Sequence, residues 1–233
     1  MHALWTRPWV LALVAGLAVV VIAFVPSLWL LWSRGGDAPV APVGDALPWR
    51  IDLVDRDTTR VFGLTLGRSP LADALPRDAE PQVALVGRGD EVGALEALVD
   101  PFVAGFVGGR LVVVADADPA LRRAWRERST RRDAGGDGGW RHRLAADDLA
   151  QAMRSPVAGL TFIPSAQLDA ATLRLRFGEP DERVRTGERL EHWLYPARGL
   201  AITLDAEGRE VLQYVAPSQF EARLRAPLQN AAR

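Results

Sequence analysis

Three histidines, His2, His142 and His192, are the side chains in this sequence best suited to bind a metal or move a proton near neutral pH. No HExxH occurs and no two of them stand at ligand spacing, so metal chemistry is not expected. Cysteine is absent, which removes disulfides, thiolate catalysis and cysteine metal sites together, as well as the acyl acceptor of a bacterial lipoprotein. No GxSxG elbow is present, and the serines lie beside turns, where Ser69, followed by Pro70, and Ser165 read as helix N-caps. The stretch GRGDEVG at 87–93 lacks the ending of a phosphate loop and reads as a turn between strands. Asp147 with Asp148, or Glu188 with Glu191, would serve as acid and base only if the fold aimed them into one cleft. The expectation is therefore a non-catalytic chain without cofactor or small-molecule substrate. The alternative is an envelope enzyme, hydrolase-like, with a site assembled from scattered carboxylates and arginines.

Charge gives a second candidate. The net charge is −1, so no global field favours nucleic acid. Locally, LRRAWRERSTRR from Leu121 and the following WRHR concentrate eight arginines between positions 121 and 143, against Glu127, Asp133 and Asp137. Leu121, Trp125 and Arg128 share a helical face, which predicts an amphipathic helical connector with solvated arginines. In the functional reading, Arg122, Arg123, Arg126, Arg131 and Arg132 touch an anionic surface, and the glycines at 135–139 form a loop.

Such groups need a scaffold, and its first part is apolar. From Trp9 to Trp32 there is no charged residue over 24 positions, about 36 Å as a helix against a hydrocarbon core of roughly 30 Å. Trp5, Trp9, Trp29 and Trp32 flank this run, where indole favours the membrane interface. Residues 9–32 therefore read as an uncleaved transmembrane anchor, single-pass in a bacterial inner membrane, with a cytoplasmic N-terminus and a periplasmic C-terminal region. A cleaved signal peptide is the competing reading, but the apolar run resumes after Pro26 and no small-x-small cleavage site follows.

Residues 33–48 are rich in Gly, Pro and Ala and read as a flexible linker. Beyond it, VFGLTLGRSPLADA from Val61 and VAGLTFIPSAQLDA from Val157 share seven of fourteen residues, which suggests duplication. Each copy is followed by a helix and then by alternating strand-like segments. In the second copy the helix carries Leu168, Ala171 and Leu175 at one-face spacing. The expected fold class is α+β: a transmembrane helix, then two related helix-plus-antiparallel-meander units. Their bounds are 49–118 and 157–217, with an Arg-rich helical connector at 119–156 and a C-terminal tail at 218–233.

The second unit resembles a known family. The sequence FGEP at 177–180, then WLY at 193–195, LAI at 200–202 and LDAEG at 204–208 is similar to the small outer-membrane assembly lipoproteins of the SmpA/OmlA (BamE) type. Tandem copies of a related unit make up the β-lactamase inhibitor protein. The resemblance implies a protein-binding or scaffolding module of the cell envelope, with an envelope protein as partner.

Turn chemistry sets the register of the second unit. A type I turn at Asp205–Gly208 would pair Ile202 with Leu212 and Leu200 with Tyr214, and the turn Pro196–Gly199 would pair Tyr195 with Leu200 and Trp193 with Ile202. One face then becomes core. The other carries His192, Leu194, Ala201, Thr203, Val211, Gln213 and Val215. Of these, His192, Leu194, Thr203, Val211 and Gln213 form the expected face toward a partner or the first repeat. The anchor predicts that the protein stays with membranes through a carbonate wash; a shortened soluble protein beginning just after Trp32 would contradict it.

Overall fold

The structure, a computed structural model, describes residues 47–76, 82–135, 138–206 and 208–231. A small antiparallel sheet comes first: β1 (Ile51–Asp55), β2 (Thr58–Val61) and β3 (Leu64–Thr65). After a 3-10 turn at Leu71–Ala74, a meander follows of β4 (Gln82–Arg88), β5 (Ala94–Ala104) and β6 (Val107–Ala115). Next come α1 (Pro119–Glu127), the hairpin β7 (Arg131–Ala134) and β8 (Gly139–Arg143), and α2 (Ala146–Ala152). β9 (Val157–Pro164) and α3 (Ala170–Phe177) lead into the second meander. Its strands are β10 (Glu182–Thr186), β11 (Leu190–Tyr195), β12 (Leu200–Asp205) and β13 (Val211–Val215). A π-helical turn at Glu221–Arg225 then runs into α4 (Ala226–Ala231).

Ten of the strands form one antiparallel sheet in the order β10-β11-β12-β13-β9-β6-β5-β4-β8-β7. β9 joins the two meanders, pairing with β13 on one side and β6 on the other. All eight of its residues are buried, as the run VAGLTFIP, apolar at most positions, requires of a strand covered on both faces. One face of the sheet packs Leu85, Leu111, Phe162, Tyr214, Ile202 and Trp193 against Trp125 of α1, Leu173 and Phe177 of α3, and the small sheet. Phe62 plugs that core from the β2–β3 turn. Its ring lies 5.2 Å from Phe102, 5.6 Å from Phe162 and 5.4 Å from Tyr214. Phe62 has φ of 53°, which costs roughly 1–2 kcal/mol, whereas burying its ring contributes about 1.5–3 kcal/mol before any edge-to-face gain. Packing thus sustains the turn.

The opposite face of the second meander is covered by the C-terminal segment. Phe220, Leu224 and Leu228 pack on Leu194, Ala201 and Val215. Arg225 and Gln229 reach Glu182 at 2.8 and 3.3 Å, and Arg223 holds Asp116. In the second meander the register follows the turn chemistry: Trp193 pairs with Ile202, Tyr195 with Leu200, Leu200 with Tyr214 and Ile202 with Leu212. At Gly199, where φ is 64°, a Cβ would overlap the carbonyl of Val215, so only glycine closes the β11–β12 turn.

Other expectations are corrected. The fold is a predominantly β structure built on one ten-stranded sheet, not two helix-plus-meander units in tandem. The matching sequences fold differently: Gly63 makes a left-handed turn within the small sheet, while Gly159 lies inside β9. The same residues serve a hairpin in one context and a central strand in the other, so the two segments are not structurally equivalent. The transmembrane helix expected at 9–32 lies outside the described residues, and among the described residues no helix is long and apolar enough to cross a membrane. The connector is not simply helical, because β7 and β8 extend the large sheet beyond β4. Ser69 accepts from the backbone N–H of Thr65, and the N-cap of α3 is Asp169, which accepts from Thr172 at 2.6 Å. Capping at Asp169 sets the helix phase, so Leu173 and Phe177 face the core and Leu175 is 80% exposed.

A sheet shared across β9 unfolds as a unit. The chain from Trp49 onward is expected to show one denaturant transition, with Trp193→Ala lowering its stability by about 3–5 kcal/mol. Two separated transitions, with Trp193→Ala moving only one, would argue for independent halves.

Candidate functional site

The face expected to meet a partner is largely satisfied within the chain. His192, 3% exposed, projects from β11 between two threonines: its Nδ1 is 2.8 Å from the Thr203 hydroxyl and its Nε2 is 2.7 Å from the Thr186 hydroxyl. A neutral imidazole offers one donor and one acceptor, and hydroxyl rotors complement either tautomer. Burial pushes the His192 pKa down to about 4. Leu194 is sealed beneath Phe220 and Leu224. Thr203, Val211 and Gln213 remain half-buried.

The arginine-rich region divides. Arg122 donates to the carbonyls of Ala117 and Gly93, and Arg126 to those of Asp90 and Glu91. The β4–β5 turn is thereby fastened to α1. Trp140 completes the arrangement: its Nε1 donates to Gly89 at 2.9 Å, the Arg126 guanidinium lies 4.6 Å from its ring centroid, and its indole rests where a Cβ on Gly87 or Gly93 would stand. Arg131 pairs with Asp133 at 2.6 Å. Arg128 makes a two-point contact with the buried Asp148, which raises the Arg128 pKa. Arg123 and Arg132 are exposed and make no ion pair among the described residues. His142 lies edge-on to Trp140 at 4.8 Å, and its pKa is lowered by burial and then by Arg126 and Arg132.

A cavity of about 40 Å³ lies between the β4–β6 meander and the β7–β8 hairpin, lined by Glu96, Asp133, Arg141, Val86, Val112 and Trp140. Burial pushes the Arg141 pKa down, offset by Glu96 and then Asp133. The cavity has room for one to three waters, whereas substrate pockets measure roughly 300–1,000 Å³. Its signal in the sequence was the single carboxylate of Glu96 inside the apolar run GALEALV. Among the described residues, no three His, Asp or Glu side chains are placed to hold a metal.

The remaining feature is an open edge. β1 pairs with β2 on one side and with no other strand among the described residues. Four of its five residues are exposed, Leu53 at 61% and Val54 at 43%. A bulge between Leu53 and Asp55 breaks the ladder. Asp55, anchored by Arg68 at 2.6 Å, has a lowered pKa, chiefly through the Asp57 backbone N–H, with Thr58 and Arg68 adding to it. The apolar edge therefore has a fixed, charged end. No family model, curated protein or solved structure matches the chain.

Protonation gives the face a pH signature. Because the folded pKa of His192 lies below its ordinary value of 6.5, its contribution is intact above pH 6.5 and is lost as pH falls toward about 4. The loss expected over that window is about 3 kcal/mol. His192→Gln, which hydrogen-bonds but does not charge, should flatten this limb; wild-type and variant profiles that stay parallel there would show that His192 does not cause it.

Proposed function

We propose that the chain is a non-catalytic protein-binding or scaffolding module of the bacterial cell envelope. In this reading the apolar run Trp9–Trp32 holds it at the inner membrane with the folded region in the periplasm, and the partner is an envelope protein. The observation that carries the binding role is the β1 edge, where Leu53 and Val54 are exposed on a strand that pairs on one side only among the described residues. Open N–H and C=O groups beside apolar side chains recruit another strand, and the bulge between Leu53 and Asp55 confines such pairing to the first part of β1. Strand addition matches this surface: main-chain bonds supply affinity, and alternate side chains supply selectivity.

The test uses the full chain in its native envelope, with a photoreactive residue replacing Asp52. Adducts with a discrete protein are expected, and Leu53→Asp combined with Val54→Asp should abolish them without lowering the thermal midpoint. Adduct formation unchanged by the double substitution would remove β1 as the docking edge.

A further inference from the structure

The described chain begins at one corner of the fold, and that corner is apolar, aromatic and basic. A Cβ at Gly105, in the β5–β6 turn, would meet Leu47. The buried Tyr214 hydroxyl donates to the Pro48 carbonyl at 2.8 Å. The Trp49 ring then lies 5.7 Å from Phe106 and 6.5 Å from Phe177, with the Arg176 guanidinium 4.7 Å from its centroid. Phe106, at the hairpin tip, is 74% exposed, and Leu175, the neighbour of Arg176 on α3, is 80% exposed. Of the four large exposed hydrophobic side chains among the described residues, two thus lie on elements that touch Trp49. Neither contributes to the core.

We propose that this corner is the membrane-facing end of the protein, with Phe106 and Trp49 seated in the interfacial layer of the bilayer and Arg176 among its headgroups. The proposal rests on the reading of Trp9–Trp32 as the anchor. Residues 33–46 are all that separate that run from Leu47, and fourteen residues reach at most about 50 Å. A connection this short keeps the corner near the lipid surface, where even a weak contact is populated. The side chains also match the place. Indole and phenyl rings favour the interface, and a guanidinium beside them pairs with anionic headgroups. Leu53 and Val54, by contrast, lie on an open strand edge, where a peptide gains main-chain bonds that a lipid does not offer.

A rival orientation is testable in the same experiment. The exposed Arg123 and Arg132 belong to the end of the sheet near the β4–β5 turn, to which α1 is bonded through Arg126. Along β5, from Ala94 to Ala104, that end lies some 30 Å or more from the hairpin tip. Because the chain has no cysteine, single labels are unambiguous. Gly108→Cys places a fluorophore beside the tip, where a side chain meets open space, and Glu127→Cys places one at the arginine-rich end. The full-length protein is incorporated into vesicles of phosphatidylcholine and phosphatidylglycerol carrying a nitroxide-headgroup lipid. The label at 108 should lose most of its emission while the label at 127 keeps its own, and Phe106→Asp should restore the emission at 108. Quenching at 127 alone, at neither position, or at 108 but insensitive to Phe106→Asp would overturn the docked corner while leaving the anchor in place. Failure of the protein to enter vesicles at all would remove both the anchor and the docking that depends on it.

Discussion

β9 holds the molecule together. Its two hydrogen-bonding edges are taken by β6 and β13, and its two faces are both buried. Each meander would otherwise end in an open edge beside an apolar face, and each gains a neighbour only through this strand. Phe162 carries the dependence into the side chains: it lies in the same aromatic cluster as Phe62, Phe102 and Tyr214. The small sheet, the first meander, β9 and the second meander thus converge on one aromatic cluster, in which the Phe62 ring touches the other three. A close-packed interior transmits a disturbance at such a point in every direction.

Local chemistry and long-range packing were not equally legible in the sequence. The register from Leu190 to Val215 was readable because short turns with glycine at Gly199 and Gly208 leave few ways to pair their flanking strands. The likeness between the segments at 61 and 157 misled because seven shared residues specify a local preference, and burial then decides between a turn and a central strand. The phase of α3 was misread because Leu168 precedes the helix that Asp169 caps. The C-terminal cover was visible in principle. Phe220, Leu224 and Leu228 recur every fourth residue, a spacing that argues for an amphipathic helix.

That cover reassigns the chemistry of the second meander. A histidine on a half-polar face suggested recognition, yet Thr186 and Thr203 complete its hydrogen bonds and α4 with its preceding turn seals the neighbouring leucine. Most of the clustered arginines are similarly engaged, binding turn carbonyls or carboxylates of their own chain. The β1 edge and the corner around Trp49 are among the surfaces that remain available in the described residues. They adjoin each other, since β1 starts two residues after that tryptophan.

The position of β9 in the chain has a consequence for biogenesis. A ribosome delivers β4, β5 and β6 well before the strand that covers the free side of β6, and Pro48 waits for Tyr214, 166 positions later, before its carbonyl is bonded. Contacts of such long separation form slowly. During synthesis, the emerging first half presents an unpaired, apolar strand for as long as the remainder takes to arrive. The chain's greatest exposure to misassembly therefore falls in its nascent state, before β9 fills the open side of β6.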